Sequence, residues 1–223
     1  TTWDLIADIE KIREHLNIQN WTIFGGSWGS TLAITYAICH TEHCLELILR
    51  GIFMLREKEI AWFYQEGASY IYPDAWEKYI APIPNSERNN FVSAYYKRLI
   101  SSNRKIRIEA ARSWSIWEAS TSRLNQDKNA MTTHAFHDDD VAEAFARIEC
   151  HYFTNKGFFE TDNWLLDNAY KITKIPTYIV QGRYDIVCPM ISAWELYKKI
   201  PNASFNIIED SGHSMLEDGI KKR

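Results

Sequence analysis

Trp21-Thr22-Ile23-Phe24-Gly25-Gly26-Ser27-Trp28-Gly29-Ser30 decides the reading of the fold. Residues of strand-forming type run into Gly-Gly-Ser-Trp-Gly, and Thr31-Leu32-Ala33-Ile34-Thr35-Tyr36-Ala37 follows at helical spacing. That is a strand, a sharp turn and a helix. Gly25 and Gly29 stand two residues on either side of Ser27, at places where a Cβ is expected to collide with tightly folded backbone. Ser27 then sits at the tip of a strained turn with its hydroxyl exposed. The helix N-terminus behind it offers backbone N–H donors and a partial positive charge, which favour an oxyanion beside the serine. The N–H of Trp28 is the first such donor. A Gly-x-Ser-x-Gly string alone also marks ordinary turns; the strand before it and the helix after it favour the catalytic reading.

Upstream, Thr1 to Leu16 reads as an amphipathic helix with Leu5, Ile9, Ile12 and Leu16 on its apolar face and a capping box formed by Thr1 and Asp4. Downstream, Leu45-Glu46-Leu47-Ile48-Leu49 is a second short strand ending at Arg50-Gly51. Helix, strand, helix and strand in succession imply a parallel sheet with helices on its faces. From Met54 to Asn168 no clear strand follows; aromatics concentrate there, and helical spacing is broken by Pro73, Pro82 and Pro84. The alternating pattern returns at Ile175–Gln181, followed by a helix over Ile191–Lys199 and a fourth strand over Ala203–Ile208. The expectation is an α/β fold whose core comprises residues 1–53 and 169–223, interrupted by a helical cap over 54–168.

Bulk properties bound the partners. A chain of 223 residues with net charge −4 has no concentrated positive charge for nucleic acid or an anionic membrane. The four cysteines form no C-x-x-C pair and no dense framework, which points to a reducing, cytoplasmic setting. No apolar run approaches the roughly 18 residues of a membrane span, and the first residues lack the apolar core of a signal peptide.

In parallel α/β sheets active sites form beyond the carboxyl ends of strands. Ser27, Asp185 and His213 each follow a predicted strand, so all three can project from one edge. A serine hydroxyl needs a base to take its proton, and the base needs a carboxylate to hold its tautomer. Asp185 alone also suits a turn, and His213 alone a loop; together, in the order Ser, Asp, His, they match the α/β-hydrolase arrangement.

Five stretches carry a closer likeness: Gly25–Ala33, Leu49-Arg50-Gly51-Ile52-Phe53, Trp62-Phe63-Tyr64-Gln65, Gly182–Pro189 and Gly212-His213-Ser214. With the cap segments Trp114–Glu118 and Arg147–Phe153, they make the chain resemble the proline iminopeptidase (prolyl aminopeptidase) family of the α/β-hydrolase superfamily along nearly its whole length. The resemblance implies cofactor-free release of an N-terminal proline from peptides. Such a substrate presents a cationic secondary amine on an apolar ring, so its pocket needs carboxylates beside aromatic walls. Glu118 and Glu149 match the family's amine-binding positions, and Phe53, Phe153, Tyr64 and Cys188 match or neighbour positions lining its proline pocket. On the residues alone, each glutamate reads as an exposed helix carboxylate.

The family also places a His-Gly-Gly-Pro-Gly segment upstream of the elbow, where a backbone N–H completes the oxyanion hole. It is absent from the residues preceding Ser27, so the resemblance implies an internal portion of a longer enzyme that lacks the early strands of the sheet. His134 and His137 before Asp138-Asp139-Asp140 suggest metal ligands only weakly, and a solvated loop is preferred. Cys188 reads as a thiol beside the pocket, since the elbow belongs to Ser27. The rival functions are a capped esterase or amidase of the same superfamily and a catalytically silent hydrolase-like binding module.

Overall fold

The computed structural model describes residues 1–125 and 138–223. Helix α1 (Thr2–His15) begins where the Thr1 hydroxyl accepts the Asp4 N–H while the Asp4 carboxylate takes the Thr1 amine and hydroxyl protons. Its buried face differs from the predicted one by one residue. Thr2, Ile6 and Arg13 are buried, whereas Ile12 is 54% and Leu16 57% exposed. The first turn sets this rotation: Thr2 Oγ1 donates to Gly157 O at 2.6 Å and Trp3 Nε1 to Phe158 O at 2.9 Å. Successive helical residues lie about 100° apart, so anchoring Thr2 brings Ile6, not Leu5, into the core.

Strand β1 (Trp21–Ser27) leads into helix α2 (Trp28–Cys39), and β2 (Cys44–Ile52) follows. Next come α3 (Glu57–Tyr64), α4 (Pro73–Ile80), α5 (Phe91–Leu99), α6 (Arg104–Thr121), α7 (Asp139–Thr154) and the short α8 (Trp164–Asn168). Then β3 (Thr177–Gly182), α9 (Met190–Lys199), β4 (Ser204–Ile208) and α10 (Asp218–Lys221) complete the order. The strands form one parallel sheet in the order β1-β2-β3-β4. Strand β2 runs on past the predicted end at Leu49, and its Ile52 pairs with Ser27. That extension delivers Phe53 to the serine.

Ile34 of α2, Leu47, Leu49 and Ile52 of β2, Ile179 of β3 and Leu196 of α9 are fully buried between sheet and helices. A second apolar cluster draws all its buried members from Phe63 to Cys150, among them Tyr79, Tyr95, Trp114 and Trp117. Helices α3 to α7 therefore share a core of their own, whereas Met54 and Leu165 of α8, within the predicted cap span, pack in the sheet core. A small third cluster of Phe53, Leu55 and Cys188, flanked by Trp28 and Phe153, lies where the two meet. Arg56 pins the junction: its guanidinium bonds Glu59 of α3 and, across to α9, Glu195, while Glu59 also takes the Ser192 hydroxyl. Strand β1 forms an edge, with Phe24 61% exposed. No helix among the described residues is long and apolar enough to cross a membrane.

Candidate active site

Ser27 occupies the turn between β1 and α2 at φ 58° and ψ −127°, a conformation that L-residues adopt only under constraint. The constraint comes partly from glycine. A Cβ at Gly25 would stand 2.2 Å from the Gly29 carbonyl oxygen, and one at Gly26 would stand 2.4 Å from Arg50 Nε. Gly29 corrects the sequence reading, because a Cβ there meets nothing within 4 Å. The close approach is one-sided: the carbonyl of Gly29 presses on Gly25, while its own α-carbon faces an open groove beside Thr22, Phe24 and Leu32. After the elbow, Ser30 Oγ donates to Ser27 O at 2.7 Å and accepts the Phe53 N–H at 3.0 Å, and Thr31 Oγ1 donates to Phe53 O at 2.6 Å. The two hydroxyls thus clamp Phe53 against the elbow.

Asp185 and His213 leave the same end of the sheet, after β3 and β4. His213 Nδ1 lies 2.9 Å from Asp185 Oδ2, and Asp185 Oδ1 accepts the Cys188 N–H at 2.8 Å. Gly51 passes beneath this pair at φ 50°, where a Cβ would come within 2.9 Å of His213 Cε1. Arg50 Nη1 donates to the His213 carbonyl at 2.9 Å. Burial lowers the Arg50 pKa, against the opposing pull of Asp185. Among the described residues no hydrogen bond joins Ser27 to His213; the Ser27 side chain lies against the Cys188 thiol, whose pKa burial pushes well up.

Ser27, Trp28, Phe53, Tyr64, Glu118, Glu149, Phe153 and Cys188 all line one narrow cavity of about 30 Å³. Asp185 and His213 stand outside its lining. Glu59, Phe63 and Val187 also line it and were not singled out from sequence. Phe63 and Val187 adjoin Tyr64 and Cys188 in the chain, so adjacency was the available signal. For Glu59 there was none, because its partner Ser192 is 133 residues away. A far larger groove of about 980 Å³ also borders Trp28, yet it includes neither Ser27 nor Glu118 nor Glu149.

The glutamates are not exposed helix carboxylates. Glu118 on α6 is 9% exposed and accepts the Tyr64 hydroxyl, while Glu149 on α7 accepts Trp114 Nε1 at 2.7 Å. Burial pushes the Glu118 pKa up to about 7, against the Tyr64 hydrogen bond and the charge of His213. Burial and the neighbouring Glu118 push Glu149 well up as well. Tyr64 stacks on Trp114 at 4.3 Å, and Phe153 meets Tyr64 at 5.3 Å and Phe53 at 5.8 Å, giving aromatic walls. Ion pairs from Arg107 to Glu143 at 2.7 Å and from Arg112 to Asp139 at 2.6 Å join α6 to α7, the helices that carry the two glutamates. Such a site can hold a cation among apolar surfaces next to a hydroxyl nucleophile. His134 and His137 lie outside the described residues. Among the described residues no group of three or more His, Cys, Asp or Glu side chains is placed to hold a metal.

Residues 1–220 match the α/β-hydrolase fold family. A probable proline iminopeptidase of Leptolyngbya boryana is 60% identical over 220 residues, which are 99% of this chain and 68% of that protein. The proline iminopeptidase of Arabidopsis thaliana is 55% identical over 221 residues, 99% of this chain and 58% of that protein. Among solved structures, an esterase from Exiguobacterium antarcticum superimposes with a TM-score of 0.61 at 19% identity, over 99% of this chain and 70% of its own, a likeness of fold. The chain belongs to the α/β-hydrolase superfamily and, within it, to the proline iminopeptidase family.

Proposed function

We propose that this chain carries the active site of a serine exopeptidase that releases N-terminal proline from peptides through an acyl-enzyme. One observation carries the reading: a single cavity is lined by the elbow serine, the buried Glu118, the half-buried Glu149 and aromatic walls. The names borne by its relatives support the same substrate.

In this mechanism the substrate's ammonium lies against Glu118 and Glu149, and its ring packs on Phe53, Tyr64 and Phe153. The scissile carbonyl is thereby presented to Ser27. His213 takes the hydroxyl proton as Ser27 Oγ bonds to the carbonyl carbon, then gives that proton to the departing amine. Asp185 holds His213 with Nε2 free to act. The Trp28 N–H donates to the oxyanion at the N-terminus of α2. Water, deprotonated by His213, then releases proline. These side chains suffice without a cofactor. We place the protein in the cytoplasm, where a reducing medium keeps its four unpaired cysteines as thiols.

The decisive comparison uses two substrates. Glu118→Gln or Glu149→Gln keeps the shape and removes the charge, so proline-amide turnover should fall by about 1.5–3 kcal/mol of transition-state stabilisation, while a small ester without an amine is nearly untouched. Equal losses on both substrates would assign the glutamates to cap structure. Asp185→Asn should lower kcat on both substrates by ~10⁴ by favouring the wrong imidazole tautomer, as in the serine-protease triad. A rate within tenfold of the parent's would remove Asp185 from the mechanism.

A further inference from the structure

Gln181 stands near the end of β3 with no exposed surface, and its side-chain amide is fully engaged. Its Oε1 accepts the Ile52 N–H at 2.9 Å; its Nε2 donates to Asp185 Oδ2 at 3.0 Å and to the Cys188 carbonyl at 2.9 Å. The partners dictate which way the amide points, since a backbone N–H needs the oxygen and a backbone carbonyl needs the nitrogen. The NH₂ group therefore faces Asp185. Asp185 Oδ2 is the same oxygen that meets His213 Nδ1, and Asp185 Oδ1 accepts the Cys188 N–H. Three donors surround a carboxylate that, when ionised, only accepts.

The other end of the amide reaches the opposite wall of the site. Ile52 pairs with Ser27 across the sheet, and the next residue, Phe53, is held to α2 by Ser30 and Thr31. A continuous set of hydrogen bonds thus runs from Asp185 through Gln181 to the strand end beside the nucleophile.

We infer that Gln181 is a positioning residue: it holds the Asp185 carboxylate in the orientation that His213 requires and keeps that dyad in register with Ser27 and Phe53. The inference rests on the serine-hydrolase reading above. Few side chains can replace it. Methionine fills a similar volume but leaves the Ile52 N–H and the Cys188 carbonyl buried without partners. An ionised glutamate cannot donate and sets a second negative charge against Asp185. Asparagine is one methylene too short to span both strands.

The test compares Gln181→Met and Gln181→Glu with the parent in the protein as the cell makes it, with active sites counted by a fluorophosphonate probe so that any unfolded fraction drops out; Ser27→Ala, which the probe cannot label, is assayed per folded protein. Misplacement of a catalytic group by about 1 Å can cost on the order of 100-fold, so kcat per labelled site should fall about 10- to 100-fold. The loss should be similar on proline amides and simple esters, with KM little changed. The acid limb of the kcat/KM profile should move, and the far-downfield proton resonance of the His213 Nδ1–H bond should shift or broaden. In Gln181→Glu the loss should deepen as pH rises and the new carboxyl ionises. Should Gln181→Met be lost to misfolding, Gln181→Glu carries the same readouts. Parental kcat per site, pH profile and downfield resonance in a folded variant would overturn the role of Gln181. Undiminished turnover by Ser27→Ala would instead overturn the serine mechanism beneath it.

Discussion

A carboxyl group taken out of water with no cation beside it is at a disadvantage when ionised. Glu118, raised from 4.5 to about 7, and Glu149, pushed well up by burial and by Glu118, hold protons in the folded protein that they would release on unfolding. The native state therefore binds more protons than the unfolded chain between pH 4.5 and about 7, and the stability these groups contribute declines as pH rises through that window. Glu10 works in the opposite sense: Arg13 and Tyr36 hold it near 2, so its contribution is lost only as pH falls below 4.5. Melting temperatures measured across the upper window should fall with pH, and Glu118→Gln should flatten that slope; an unchanged slope would show that Glu118 does not hold its proton there. The helical, aromatic-rich settings of these two residues were legible in the sequence, and their proposed role came from the family resemblance. Their burial was invisible, because it depends on Tyr64 and Trp114 closing over them from other turns of the cap.

At the scale of elements, the elbow joins β1 to α2 through one tight contact. Gly25→Ala would drive a Cβ into the Gly29 carbonyl at 2.2 Å, where backbone rather than a movable side chain stands in the way. It should destabilise by about 1–3 kcal/mol or more and abolish fluorophosphonate labelling of Ser27. Gly29→Ala meets open space inside a helix, so it should leave labelling intact and stabilise by up to about 1 kcal/mol. Chemical unfolding of the two variants side by side checks both, and equal damage would mean that the turn tolerates neither. Strand, turn and helix were legible here because local periodicity specifies them. The unequal duties of the two glycines were not, since the motif is symmetric in letters and the backbone is not. The face of α1 was misread for a related reason: Ile12 and Leu16 keep the apolar period, but Thr2 and Trp3 bond to a turn more than 150 residues away and set the rotation.

For the molecule as a whole, the question is how the helices between β2 and β3 are joined to the sheet. Arg56 is 2% exposed and bridges Glu59 at the start of the cap to Glu195 on α9, with Lys58 adding a partner for Glu195 at 2.9 Å. Arg56→Met would strand Glu59 in the interior, and removing one member of a buried pair costs about 3–5 kcal/mol. Arg56→Met with Glu59→Gln should recover part of that loss in denaturant titration; no recovery would mean that packing, rather than charge, dominates the joint. A parallel sheet, with Ser27, Asp185 and His213 each following a strand, was expected from the sequence, whereas this joint, formed between residues 139 apart, was not. The aromatic cluster above it has a consequence for observation. Trp114 donates its indole N–H to Glu149 and stacks on Tyr64, so any change of charge on Glu149 occurs within hydrogen-bond length of a chromophore. The emission of that indole, separated from that of the other eight tryptophans by difference against Trp114→Phe, should therefore shift when Glu149 changes charge, giving a label-free gauge of occupancy at the proposed amine site.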